Sequence, residues 1–133
     1  MKVTILLPAY NAALYLRDSL DSIMRQAFKD FDVLLIDDGS MDDTSKIAIE
    51  YSNIDRRIKY YKNEKNIGLI KTLNKGLSLA KGEYIVRMDA DDIALPKRIE
   101  KQVDYLEKNK ETDICGTWCE KIDSEGKHIG KII

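Results

Sequence analysis

Histidine occurs once in this sequence, at His128, and cysteine only twice, at Cys115 and Cys119. A C-x3-C pair needs about two more thiol or imidazole ligands to close a zinc site, and one histidine cannot supply them. The thiols therefore read as two reduced cysteines on a sheet strand. Surplus positive charge is missing too. The 22 Lys and Arg stand against 23 Asp and Glu, a net charge of −1, so no excess cation remains to hold a polyphosphate backbone by counterion release. Nucleic acid is set aside as a partner. No uncharged run approaches the ~20 residues of a membrane span, the longest apolar blocks being Ile5 to Tyr10 and Val33 to Ile36. The run that ends at Pro8 is too short for the apolar stretch of a signal peptide. A soluble, cytoplasmic chain with no membrane segment is the expectation, with membrane association left to a longer protein.

What is present is an ordinary globular composition. Of 133 residues, 44% are hydrophobic and 34% charged, with only 7 Gly and 2 Pro. Low complexity and disorder are excluded, and the length allows one domain with a real core and no second full domain. Short apolar runs alternate with segments of helical period, the pattern of βαβ units. Strands are predicted at 3–7, 32–36, 58–61, 84–88 and 113–118. Helices are predicted at 13–25, 43–51 and 69–80, with a fourth opening at Pro96, where a proline suits the first turn. Residues 123–126 read as a hairpin turn.

Right-handed crossovers would place the carboxyl ends of parallel strands on one edge, where open α/β sheets bind ligands. There the sequence supplies Pro8-Ala9-Tyr10-Asn11, then Asp37-Asp38-Gly39-Ser40, then Asp89-Ala90-Asp91-Asp92. Five carboxylates are expected to converge on that rim. A D-x-D pair alone says little, since about two are expected by chance at this aspartate content. Position separates the two that occur: Asp30-Phe31-Asp32 stands at a strand entrance, Asp89 to Asp91 at a strand exit. Carboxylates ~5 Å apart repel by ~3 kcal/mol at an effective dielectric near 20, so a cation is the economical compensation. Oxygen donors without Cys or His fit Mg²⁺ or Mn²⁺, held by one or two carboxylates and substrate phosphates. Asp37, Asp42 and Asp43 have a second reading as turn and helix caps.

Five blocks in this order, Pro8-Ala9-Tyr10-Asn11, Asp37-Asp38-Gly39-Ser40 with Asp43, Asn66-Ile67-Gly68-Leu69, Gly82-Glu83-Tyr84-Ile85 and Asp89-Ala90-Asp91-Asp92, resemble the motif series of glycosyltransferase family 2. That resemblance covers essentially the whole chain. It implies the GT-A fold, a Rossmann-like, mostly parallel α/β sheet flanked by helices, here ending after a fifth strand and a hairpin. It implies an inverting transferase that takes a sugar from a nucleotide-sugar donor, UDP-sugar first, to a saccharide or lipid-linked acceptor in polysaccharide biosynthesis. By the same resemblance Pro8, Ala9 and Tyr10 line the base pocket and Asp38 accepts a hydrogen bond from the base or ribose. Asp89 and Ala90 lie near the ribose, and Asp91 with Asp89 holds Mg²⁺ or Mn²⁺. Lys71 is a candidate phosphate contact, although the family often places an arginine where this chain has Leu73.

The general base that inversion requires comes, in that family, from the acceptor-binding half. None of residues 1–133 is assigned as catalytic base, His128 reads as a surface residue, and the base is expected beyond Ile133. The chain is thus expected to be the donor-binding part, 1–133, of a longer enzyme. A non-catalytic nucleotide-binding module of the same fold is the alternative. A receiver-like phosphoacceptor domain fits poorly, because its acidic pair follows the first strand. A dinucleotide-binding dehydrogenase is excluded, since the turn after the first strand has no glycine. Because like charges cluster on the expected rim, replacing Asp38 or Asp91 is expected to leave the melting temperature unchanged or slightly raised.

Overall fold

The structure is a computed structural model that describes residues 1–132. It divides into two compact units, Met1–Ile99 and a second from Glu100 onward. The first unit carries four parallel strands, β1 (Val3–Ala9), β2 (Phe31–Asp37), β3 (Ile58–Lys62) and β4 (Tyr84–Arg87), in the order β3-β2-β1-β4. Three helices connect them: α1 (Leu16–Met24), α2 (Thr44–Ile54) and α3 (Leu69–Leu79). A fourth, α4 (Arg98–Lys108), begins in the first unit and continues into the second.

Strands β1 and β2 are buried at every position, as their continuous aliphatic runs require when each is flanked by a neighbour on both edges. Side chains alternate between faces. Leu6, Leu34 and Ile36 make one cluster, closed by Tyr61, Leu73, Leu79 and Ala80. Helix α3 comes so near that a Cβ on Gly76 would lie 2.1 Å from Leu6 Cδ1 and 2.9 Å from Ile36 Cδ1, so only glycine lets this helix reach the sheet. Leu73 packs against that cluster, an apolar environment that an aliphatic side chain suits. The buried Leu6, Leu34 and Ile36 each contribute ~2 kcal/mol by leaving water.

Two helix starts differ from expectation. Residues 13–15 form turns and α1 begins at Leu16; Pro96 and Lys97 form a turn ahead of Arg98, with the Pro96 carbonyl accepting the Ala27 N–H at 2.8 Å. Asp32 lies at the sheet end opposite the predicted rim. Buried, it accepts from Thr4 Oγ1 at 2.8 Å and Lys59 Nζ at 2.7 Å, a structural role for the second D-x-D pair.

In the second unit the expected strand at 113–118 is absent; those residues are irregular. Ile114 and Trp118 are 87% and 80% exposed and Gly116 brings no side chain, so the segment buries nothing that would hold it in a ladder. The strands there are β5 (Cys119–Ile122) and β6 (His128–Ile132), an antiparallel pair separate from the main sheet. The turn between them is the predicted one: Asp123 Oδ1 accepts the N–H groups of Glu125 and Lys127, and Gly126 has φ +81°. Both cysteines are free, Cys115 in the irregular segment and Cys119 opening β5, so only the second stands on a strand. His128 is half exposed and 2.7 Å from Glu120.

Candidate nucleotide and metal site

With four parallel strands in the order β3-β2-β1-β4, the chain winds outward from β1 through β2 to β3 and then returns to the other side of β1. The direction of winding therefore reverses between β1 and β4. Open α/β sheets hold their ligands beyond the carboxyl ends of the strands at such a point. The segments on that edge are Pro8 to Asn11 at the end of β1, Asp38 to Ser40 after β2 and Met88 to Asp92 after β4, the first and last of them flanking the reversal.

The first two loops are stitched together. The Asp38 N–H donates to the Ala9 carbonyl at 2.8 Å, the Asn11 N–H to Ser40 Oγ at 3.0 Å, and the Met41 N–H to Asn11 Oδ1 at 3.0 Å. Asn11 holds φ +47°, a conformation asparagine tolerates better than most residues. Pro8 and Ala9 are buried inside β1, and Tyr10, which follows them, is half exposed.

Asp37 and Asp38 do not line an open rim. Asp37 is fully buried: Oδ1 accepts the Ser40 N–H at 2.8 Å, and Oδ2 accepts Ser45 Oγ at 2.6 Å and the Tyr60 hydroxyl at 3.1 Å. Asp38 is 4% exposed, and three donors converge on it, Asn63 Nδ2 at 2.8 Å and the N–H groups of Ile67 and Gly68 at 2.9 Å each. Burial opposes ionisation of both, but these donors outweigh it and hold both carboxyls below the ordinary range. Asp42 behaves likewise, accepting from Thr44 and from the Ala13 N–H, while Asp43 caps α2 without a side-chain bond. The five expected rim carboxylates are thus three, because hydrogen-bond donors, and not charge repulsion, govern the other two.

Gly39 makes the Asp38 arrangement possible. Its φ is +75°, and a Cβ there would lie 2.6 Å from the Lys65 carbonyl carbon and 2.7 Å from the Asn66 nitrogen. The loop that presents Ile67 and Gly68 to Asp38 can close only over a residue without a side chain. Asn63 extends the network, donating to Thr72 at 3.1 Å and accepting from Lys75 Nζ at 2.7 Å. Lys71, the candidate phosphate contact, is exposed on α3.

The remaining carboxylates, Asp89, Asp91 and Asp92, follow β4. Asp89 is half exposed, and Asp91 and Asp92 are exposed. The Asp92 carboxyl sits above the ordinary range, through partial desolvation first and then the negative charges of Asp89 and Asp91, with Arg98 and Arg87 opposing. Ala90, between the ligating candidates, is buried. The donor set is all oxygen and suits a hard divalent ion. Among the described residues no three acidic, His or Cys side chains stand together as a group that could hold a metal ion.

Sequence reasoning missed the residues that hold this loop. Gln26 is fully buried: its Nε2 donates to the Ala94 carbonyl at 3.3 Å and the Leu95 carbonyl at 2.8 Å, and its Oε1 accepts the Ile99 N–H at 3.2 Å. Ser22 Oγ accepts the Ala94 N–H at 3.0 Å. The signal was there: Ser19, Ser22 and Gln26 recur at helical spacing among Leu20 and Ile23, and polar groups on a buried stripe require partners. Arg87 and Arg98 were also missed. Arg87 Nη2 meets Asp89 Oδ1 at 2.8 Å, while Arg98 Nη2 donates to the Arg87 carbonyl at 3.0 Å.

Comparison with known proteins agrees with this geometry. The family model described as glycosyl transferase family 2 matches residues 4–131. An uncharacterized glycosyltransferase of Haemophilus influenzae is 44% identical over 120 residues, which are 90% of this chain and 37% of that protein. The chain thus spans well under half of that relative. Among solved structures, S. aureus TarS 1-349 in complex with UDP-GlcNAc superposes with a TM-score of 0.77 at 29% identity, over 83% of this chain and 32% of that one. The mannosyltransferase PcManGT from Pyrobaculum calidifontis, in complex with GDP-Man and Mn²⁺, gives 0.72 at 26% identity, over 79% of this chain and 32% of that one. Parallel sheet, rim and motif order agree with a family match over nearly every residue, and the chain belongs to glycosyl transferase family 2.

Proposed function

We propose that this chain is the donor-binding part, residues 1–133, of an inverting glycosyltransferase, binding a nucleoside-diphosphate sugar, UDP-sugar in the first instance. The observation that carries the reading is the placement of the three remaining acidic residues at the β1/β4 reversal, beside a loop pair stitched from Ala9 to Met41. The UDP-GlcNAc bound by TarS and the GDP-Man and Mn²⁺ bound by PcManGT support it.

In this reading Pro8 and Ala9 offer a rigid floor and Tyr10 a half-exposed ring to the base. Asp38 holds the loop at Ile67 and Gly68, and a nucleoside would share its carboxylate with those donors. Asp89 and Asp91 hold Mg²⁺ or Mn²⁺, whose charge would stabilise the departing diphosphate. Lys71 reaches toward the phosphates. The base that deprotonates the acceptor hydroxyl belongs to an acceptor-binding part outside this chain, and the acceptor is a saccharide or a lipid-linked saccharide.

The test of the assigned metal role is Asp91→Asn. Calorimetry should show that the variant loses the metal-dependent gain in UDP affinity, about tenfold or ~1.4 kcal/mol, while uridine binds as before. A variant that keeps the full metal response would remove Asp91 from the site.

A further inference from the structure

The acidic loop after β4 carries two arginines that are held in different ways. Arg98 is anchored: it opens α4, donates through Nη2 to the Arg87 carbonyl, and has its Nε buried. It fixes the backbone from which Arg87 projects. The Arg87 side chain is not fixed by packing. Its guanidinium is 54% exposed and pairs with an Asp89 carboxylate that is 45% exposed. An exposed ion pair of this kind contributes little and is readily broken.

We propose that Arg87 is an exchangeable counter-ion, holding Asp89 in the unliganded chain and passing to a diphosphate oxygen when a divalent cation takes Asp89. The inference rests on the donor-site reading above and deepens it. A cation on Asp89 competes with the guanidinium 2.8 Å away for the charge of one half-exposed carboxylate, and repulsion between the two cations favours release of the more weakly held one. The displaced guanidinium remains tethered at the end of β4, beside the strand reversal where the phosphates would lie. Its planar fork of donors matches phosphate oxygens as well as it matches a carboxylate. Exchange keeps the loop's charge compensated in both states, which suits a loop that gathers Asp89, Asp91 and Asp92 within four residues.

Two probes separate the two halves of the exchange: Mn²⁺ alone, followed by the resonance of the free ion, and UDP at saturating Mn²⁺, followed by calorimetry. Arg87→Gln in the 133-residue chain should bind Mn²⁺ alone about threefold to fivefold more tightly, because a competitor has gone. It should bind UDP about tenfold more weakly, because a charged donor has gone. Arg87→Lys keeps the charge without the fork and should fall between wild type and Arg87→Gln on both probes. Melting temperatures should stay within about 2 °C of wild type, as expected for a surface pair. Both probes moving the same way, or either failing to move, would overturn the exchange. If wild-type chain itself bound UDP equally in Mn²⁺ and in chelator, the donor-site reading and the exchange would fall together; a metal-dependent wild type with an unsplit Arg87→Gln would sink the exchange alone.

Discussion

If the proposed reading holds, this chain joined to the rest of the Haemophilus influenzae protein, in place of the 37% that it matches, should transfer sugar at least 10²- to 10⁴-fold faster than it does alone. In the proposed reading the residues at the β1/β4 reversal bind a donor and balance the charge of its leaving group, and the acceptor oxygen, without a base from elsewhere, stays protonated and unpositioned. General-base catalysis supplies ~10²- to 10⁴-fold and orientation can supply more, so the isolated chain should show slow donor hydrolysis at most. The measurement is release of UDP and formation of glycoside by both proteins with the same sugars and acceptors. Comparable turnover would place a catalytic base within residues 1–133 and would withdraw the reading of the chain as a donor half.

Asp38→Ala should lower the melting temperature by roughly 10 °C and weaken uridine as well. The substitution takes away an acceptor that serves two backbone N–H groups and the Asn63 amide in a buried position. Orphaning such donors costs ~1 to 3 kcal/mol each when they stay dry, and relaxation of the 63–68 loop recovers part of that. A net loss of 2 to 3 kcal/mol corresponds to the stated shift for a domain of this size. Charge repulsion alone predicts the opposite sign, which is the expectation the structure overturns. Asp91→Asn is the contrast, since Asp91 is exposed and its replacement should leave the melting temperature within about 2 °C. An Asp38→Ala protein as stable as wild type would mean that the Asp38 carboxylate does not hold the loop.

The contrast between these two aspartates shows where sequence reading succeeds. Strands β1 and β2 announce themselves because a strand buried on both faces must be aliphatic throughout or nearly so, and that is a property of its own residues. The rim position of Asp89 and Asp91 follows from strand order, which the βαβ pattern constrains. Whether Asp38 faces outward or inward does not follow. That depends on Gly39 allowing residues 65–66 to pass at contact distance, and on Ile67 and Gly68 arriving with unpaired N–H groups. These partners lie about 30 residues along the chain, and no local period reports them. The segment at 113–118 failed for a related reason: its apolar residues have strand character, but a ladder forms only where another element covers them. Gln26, Arg87 and Arg98 are legible only as polar residues in unexpected places, and their partners are backbone carbonyls or a carboxylate that spacing does not identify.

In the proposed function the acidic loop after β4 binds a nucleoside diphosphate through a divalent ion. The direct measurement is calorimetric titration of the 133-residue chain with UDP, once in Mg²⁺ or Mn²⁺ and once in chelator. The account predicts weak binding in chelator, because Asp89, Asp91 and Asp92 repel the phosphates, and a gain of at least tenfold, ~1.4 kcal/mol, when the ion is present. Equal affinity under the two conditions would contradict it.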